Sequence, residues 1–264
     1  MTGADVIALQ EVERNWQRSG LADQPRELAG LLPGYDWVYG PAFDVSGGAA
    51  GGSRRQFGPM LLSRAPILSS RLHVLPKLAT VRHFNMTTGA LEGVIETGAG
   101  PVRVYSIHLG ALSSRERLLQ LDHFLAMHDR AAKEGGAWCG TPNFAADDWS
   151  NGEPPPPMPV AAIVLGDFNA EADSDEYAAM VGPMDGHLGR VPHADRFVDA
   201  WTAAGHPEDG CITFTPHPGT LSDRDRRLDY CFVTPDLMDR VRGAWVDTDA
   251  KGSDHYPVWT ELDL

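Results

Sequence analysis

In five places along this chain a polar residue stands at the end of an apolar, strand-like run. They are Glu11, His108, Asp167 with Asn169, Asp229, and Asp254 with His255. The repetition constrains the fold more than any one member does. In α/β architectures the carboxyl ends of strands gather at one rim of a sheet and build ligand sites there. Three or four carboxylates at one rim repel one another unless a hard cation sits between them. An oxygen-rich donor set with few histidines suits magnesium or manganese.

The runs themselves support an α/β reading. Ala161 to Leu165 is continuously apolar, as expected of a strand covered on both faces. Asp5 to Val12, Tyr35 to Tyr39, Met60 to Ser63, Gly93 to Glu96, Val102 to Ile107, Leu228 to Val233 and Tyr256 to Leu262 read as further strands between Gly- and Pro-rich turns. Gln24 to Leu32 has helical spacing and stops at Pro33-Gly34. Ser113-Ser114-Arg115-Glu116 reads as a capping box, continued by Leu118, Leu121, Phe124, Leu125 and His128 as an amphipathic helix. Strands and helices interspersed throughout argue against separate all-α and all-β halves.

Two stretches read as surface. Gly47 to Gly52 is too poor in side chains to pack, and it lacks the following Lys-Ser or Lys-Thr of a phosphate-cradling loop. Residues 133–159, with Pro154 to Pro157, form an expected Pro/Gly-rich surface insertion within a single domain spanning 1–264.

Bulk properties narrow the function. The formal net charge of −14 opposes long-range attraction to polyanions such as duplex DNA or anionic membranes, so duplex DNA is a disfavoured partner, although a local basic cleft is compatible with it. Cys139, Cys211 and Cys231 show no Cys-x-x-Cys spacing and read as reduced thiols. No apolar run is long enough to cross a membrane and no signal peptide is evident, so the expected setting is cytoplasmic.

Each polar residue has a simpler reading when taken alone. Gly166-Asp167-Phe168-Asn169 also fits an Asx turn, Ser253-Asp254-His255 a capped turn, and His108 a core histidine. Together the pieces resemble a family. Leu9-Gln10-Glu11-Val12, Ser106-Ile107-His108-Leu109, Gly166-Asp167-Phe168-Asn169, Arg227-Leu228-Asp229-Tyr230 and Gly252-Ser253-Asp254-His255-Tyr256-Pro257-Val258 are similar, in order, to the motifs of the endonuclease/exonuclease/phosphatase superfamily. Weaker echoes lie at Phe57 to Arg64 and at Thr213-Phe214.

The resemblance implies a four-layered α/β sandwich, with two mixed sheets packed face to face and helices outside. It implies a metal-dependent phosphoric ester hydrolase using magnesium or manganese, with Glu11 and Asp254 as metal ligands. Asp167 would orient or deprotonate the attacking water, and Asn169 would hold that water or a phosphate oxygen. Asp229 would orient His255, and His255 and His108 would contact the phosphate. The substrate is a phosphodiester or phosphomonoester of open identity. A nuclease acting on single-stranded or damaged nucleic acid is one alternative, and a catalytically impaired binding relative is another. The sequence starts after the strand, ending in Asn, that usually opens the family pattern. An N-terminally shortened chain, or one patched by another segment, is therefore expected. The cluster Arg224, Arg226 and Arg227 reads as a solvated loop or as the holder of one anionic group.

Overall fold

The computed structural model describes residues 3–48, 52–142, 148–217 and 223–264. The centre of the Gly/Ala stretch, 49–51, and part of the expected insertion, 143–147, lie outside the described residues.

Two sheets dominate. The first has the order β1 (Val6–Arg14), β4 (Arg55–Ser63), β2 (Asp36–Tyr39), with β3 (Phe43–Val45) also on β4, and every pairing is antiparallel. The second runs β11 (Val198–Asp199), β12 (Asp229–Val233), β8 (Ala162–Asp167), β7 (Val102–His108), β6 (Gly89–Ile95), β5 (Ile67–Val74). Only β7 and β8 pair in parallel within it, which makes this sheet mixed. β9 (Met184–Asp185) and β10 (Gly189–Arg190) form a small hairpin, and β13 (Val241–Val246) with β14 (Val258–Leu262) a larger one. Among the described residues, β1 pairs along one edge only and the β13–β14 hairpin joins neither large sheet.

Period-two alternation decides which side chains meet. On β7, Val102 and Val104 point between the sheets, where Leu61, Leu91, Ile95, Ile163 and Cys231 meet them. Tyr105 and Ile107 point the other way, onto Leu121 and Phe124 of α2 (Ser114–Glu134) and Tyr177 and Met180 of α3 (Asp175–Val181). Leu28 and Ala29 of α1 (Gln24–Leu31) cover Val12, Met60 and Leu62 on the outer face of the first sheet. The result is the four-layered α/β sandwich, helices outside and two sheets within.

One sequence expectation is corrected. Ser113 caps α2 by position but makes no side-chain cap bond, so the capping box does not form. Glu116 turns away and accepts from Leu78 N at 2.6 Å and Asn85 Nδ2 at 2.8 Å, because a buried carboxylate gains more from several donors than from one helix-end amide. The region 133–159 begins inside α2, which continues to Glu134. Its return is fixed where Arg103 Nη2 donates to Val160 O at 3.1 Å.

Candidate active site

The site is assembled at the end of the second sheet where β7 and β8 finish side by side. Their parallel register puts His108 opposite Asp167, and the antiparallel register of β12 puts Asp229 opposite Asp167 on the other side. Gly166 permits this approach. A Cβ there would lie 1.9 Å from Ile107 O, so no other residue fits beside β7 at that point. Asp167 Oδ2 stands 3.7 Å from His108 Nε2.

The first sheet delivers Glu11. The register of β1 slips between Leu9 and Val12, and Glu11 sits at φ 58°, a bulge that turns its side chain out of the strand. Its Oε1 lies 3.9 Å from His108 Nε2. Beneath it, Ser106 Oγ donates to Leu9 O and accepts from Gln10 Nε2, both at 2.9 Å, which ties β1 to β7 one step below the two site residues. Gln10 and Ser106 were visible in the motifs as neighbours. Their cross-sheet bond was not readable, because it depends on how the sheets face.

Asp254 and His255 come from the loop before β14. Thr215 N donates to Asp254 O and Tyr256 N to Thr213 O, laying this loop along 213–215. Thr213 is fully buried, and its Oγ1 accepts from the backbone of Leu228 and Asp229 at 2.9 and 3.0 Å. These bonds bring His255 Nδ1 to 2.8 Å from Asp229 Oδ2, with Phe214 against the imidazole at 5.0 Å between centroids. His255 Nε2 is 4.0 Å from Asp167 Oδ2.

Electrostatics separate the two histidines. Burial lowers the His108 pKa against the pull of Glu11. Burial also opposes charge on His255, but the hydrogen bond and charge of Asp229, with Asp167 and Asp254 behind it, push that ring up to about 9. Burial and the neighbouring Asp229 push Asp167 up to about 8. A buried carboxyl that resists ionising beside other carboxylates is the mark of a place where a cation would be welcome.

The simpler local readings also hold. Asn169 N donates to Asp167 Oδ1 at 2.8 Å, the expected Asx turn, and Asn169 takes φ 49° with its Nδ2 on Leu109 O at 2.9 Å. His255 N donates to Ser253 Oγ, the expected capped turn. Turn chemistry here positions the site residues.

Among the described residues, Asp167, Asp229 and His255 form the one group of three with ligand-type atoms within 4.8 Å of one another. Glu11 and Asp254 stand outside that group. Asp254 Oδ2 lies 3.4 Å from His217 Nε2, in a cleft of about 530 Å³ lined by Thr215, His217, Ser253, Asp254 and Tyr256. His217 carried no sequence signal. The arginine cluster is divided: Arg224 and Arg226 pair with Glu171, while Arg227 is buried on Asp199 at 2.7 Å. Glu92 faces α2, away from His108, and pairs with Arg71 and His73.

A sequence model of the Endonuclease/Exonuclease/phosphatase family matches residues 2–255, nearly the full chain. The chain belongs to the endonuclease/exonuclease/phosphatase family. Members of this family are metal-dependent phosphoesterases, among them nucleases and phosphatases. A family protein from Leptotrichia buccalis superposes with TM-score 0.58 at 17% identity, covering 98% of this chain and 88% of that one. A mannosyl-6-phosphatase from Bacteroides thetaiotaomicron gives 0.58 at 18%, covering 98% and 85%. A 3′ phosphatase from Neisseria, bound to a product DNA hairpin, gives 0.54 at 17%, covering 98% and 89%. At such identities the likeness shows the fold of this endonuclease/exonuclease/phosphatase chain and not its substrate. No curated protein sequence matches it. No helix among the described residues is long and apolar enough to cross a membrane.

Proposed function

We propose that this protein hydrolyses a phosphate ester by direct attack of water, with a divalent cation, magnesium or manganese, as cofactor. The reading is carried by the 2.8 Å Asp229–His255 bond set beside buried Asp167. A protonated, oriented imidazole faces the place where charge builds as water adds to phosphorus, and it stabilises that charge more than the ground state. Asp167, ionised, is placed between the two imidazoles to accept the proton of the water. His108 donates to a phosphate oxygen from the opposite side. Asn169, locked by its two hydrogen bonds, holds the water or another phosphate oxygen.

The donor set fits a hard cation, because carboxylates outnumber imidazoles and Asp167 shows the repulsion that a cation relieves. Glu11 and Asp254 are assigned as its ligands. Asp229 and His255 are spent on each other, whereas the Glu11 carboxylate is 54% exposed and accepts no hydrogen bond from any described residue. When bound, the cation polarises the phosphoryl oxygens and lowers the cost of generating hydroxide. The assay is turnover of bis(p-nitrophenyl) phosphate with magnesium or manganese, in wild type and in Asp167→Asn. Metal-dependent turnover lost in the variant is expected. No turnover with either metal would overturn the assignment.

A further inference from the structure

The loop between β5 and β6, residues 76–88, leaves the sheet at the catalytic rim. Ala90 pairs with Ile107 and Gly89 with Val74, so the segment preceding Gly89 emerges at the level of His108. Its neck is built from buried side chains. Glu116, 1% exposed, accepts from Leu78 N and Asn85 Nδ2, and Asn85 Nδ2 also closes the neck on Leu78 O at 3.0 Å. Gln120, fully buried, donates to Pro76 O at 3.0 Å and accepts from Gly110 N at 2.8 Å, two residues beyond His108. Gln120 therefore holds both the loop and the segment that follows His108, while Glu116 closes the loop's neck.

Above this fixed neck the tip is apolar and basic. Val81 is 98% exposed and Phe84 81% exposed, two large apolar side chains left in water at a site that could have been polar. Lys77, Arg82 and His83 are exposed around them, and no carboxylate occurs in 76–88 although the chain carries −14. Lys77 and Arg82 form no ion pair among the described residues.

A tip of this composition suits a partner that takes apolar and cationic groups together. A nucleic acid offers base faces for flat aromatic rings, but aliphatic, β-branched Val81 gains nothing from stacking. A phospholipid surface accepts both parts: apolar side chains below the headgroups, and lysine and arginine at the phosphates. We propose that this loop seats the catalytic rim on a phospholipid surface, so that the ester cleaved is one in a lipid headgroup. The second half of that proposal rests on the hydrolase reading above.

The test compares wild type with Val81→Ser/Phe84→Ser and Val81→Asp/Phe84→Asp. Co-sedimentation is measured with phosphatidylcholine vesicles and with vesicles of phosphatidylcholine and phosphatidylserine, and phosphate-ester release from the same vesicles is followed. Partition of both variants should fall by roughly tenfold or more, as expected when two apolar side chains leave the membrane interface. Lipid hydrolysis should fall in parallel, while bis(p-nitrophenyl) phosphate turnover stays within about twofold of wild type, which also reports an intact fold. Wild type that ignores both vesicles overturns the proposal, as does a variant that sediments like wild type. Loss of single-stranded oligonucleotide binding in the variants, with vesicles ignored throughout, assigns the loop to nucleic acid instead. Loop-dependent vesicle binding by a protein without any diester turnover would sink the hydrolase reading and leave the docking surface standing.

Discussion

Replacing Asp229 by Asn keeps the shape of the side chain and removes the charge that His255 leans on. In the native arrangement the ring is held at about 9 against an ordinary 6.5. That displacement corresponds to about 3 kcal/mol of preference for the protonated ring, or about 2 after discounting for solvent screening. With the carboxylate gone, the ring should titrate much closer to its ordinary value, so that at pH 7.5 the protonated fraction drops from nearly all to roughly one molecule in ten. This alone costs about tenfold in rate, and loss of the fixed orientation adds roughly another ten- to hundredfold. The sign for stability follows from the raised pKa. The bond contributes fully below about pH 6.5 and its contribution fades as pH rises through about 9, so Asp229→Asn should be most destabilised relative to wild type on the acid side of that window. Two-dimensional NMR of the imidazoles in chelator-treated protein gives the titration, and bis(p-nitrophenyl) phosphate turnover with magnesium gives the rate. If His255 still titrates near 9 in the variant, or turnover stays within about threefold of wild type, Asp229 is not what charges and orients it.

Other outcomes are expected from the same structure. Excess chelator should abolish turnover and magnesium or manganese restore it. Calorimetry should show Glu11→Gln and Asp254→Asn each weakening cation binding by roughly tenfold or more, and unchanged affinity in both would remove them as ligands. Gly166→Ala drives a Cβ into Ile107 O and should lower stability by several kcal/mol, on the order of other severe backbone clashes, as read from urea midpoints; a variant as stable as wild type would show that β7 and β8 can separate freely. His128, buried against Phe124 and Phe197, is pushed down to about 4 chiefly by burial, with Arg103 adding to it. The unfolded chain therefore binds the extra proton first, and stability should fall by up to about 3 kcal/mol as pH drops from 6.5 to 4. His128→Leu should flatten that part of the acid-unfolding curve, and an unaltered slope would refute the assignment.

The strands that carry the site were legible because each pairs a buried apolar run with a residue that strands otherwise avoid. Asp167 and Asn169 are the sharpest case, since the turn that makes them poor strand residues is the turn that places them. The remainder was hidden for identifiable reasons. Strands β3 and β9 to β11 are two or three residues long and exist through pairing with other strands, which local pattern does not encode. Helix α3 had a signal, Ser174 accepting from Tyr177 N, but too few turns follow to show a period. Glu116 carried the right spacing for a capping box and was claimed by a loop nearly forty residues upstream. Arg227 read as part of a surface cluster, because nothing local shows that Asp199 waits for it inside.

The two halves of the candidate site are held with unequal stiffness. His108, Asp167 and Asp229 stand on three neighbouring strands, so their spacing is set by continuous ladders of backbone hydrogen bonds. Asp254 and His255 reach them through isolated bridges, 255 to 214 and 214 to 226, and the hairpin behind them joins neither large sheet among the described residues. Such a segment opens locally well below the free energy of global unfolding. Amide hydrogens at 213–215 and 254–256 should then exchange much faster than those of β7 and β8. Each opening breaks the Asp229–His255 bond without unfolding the sandwich, so the molecule would alternate between an assembled and a disassembled Asp229–His255 pair on a clock of its own.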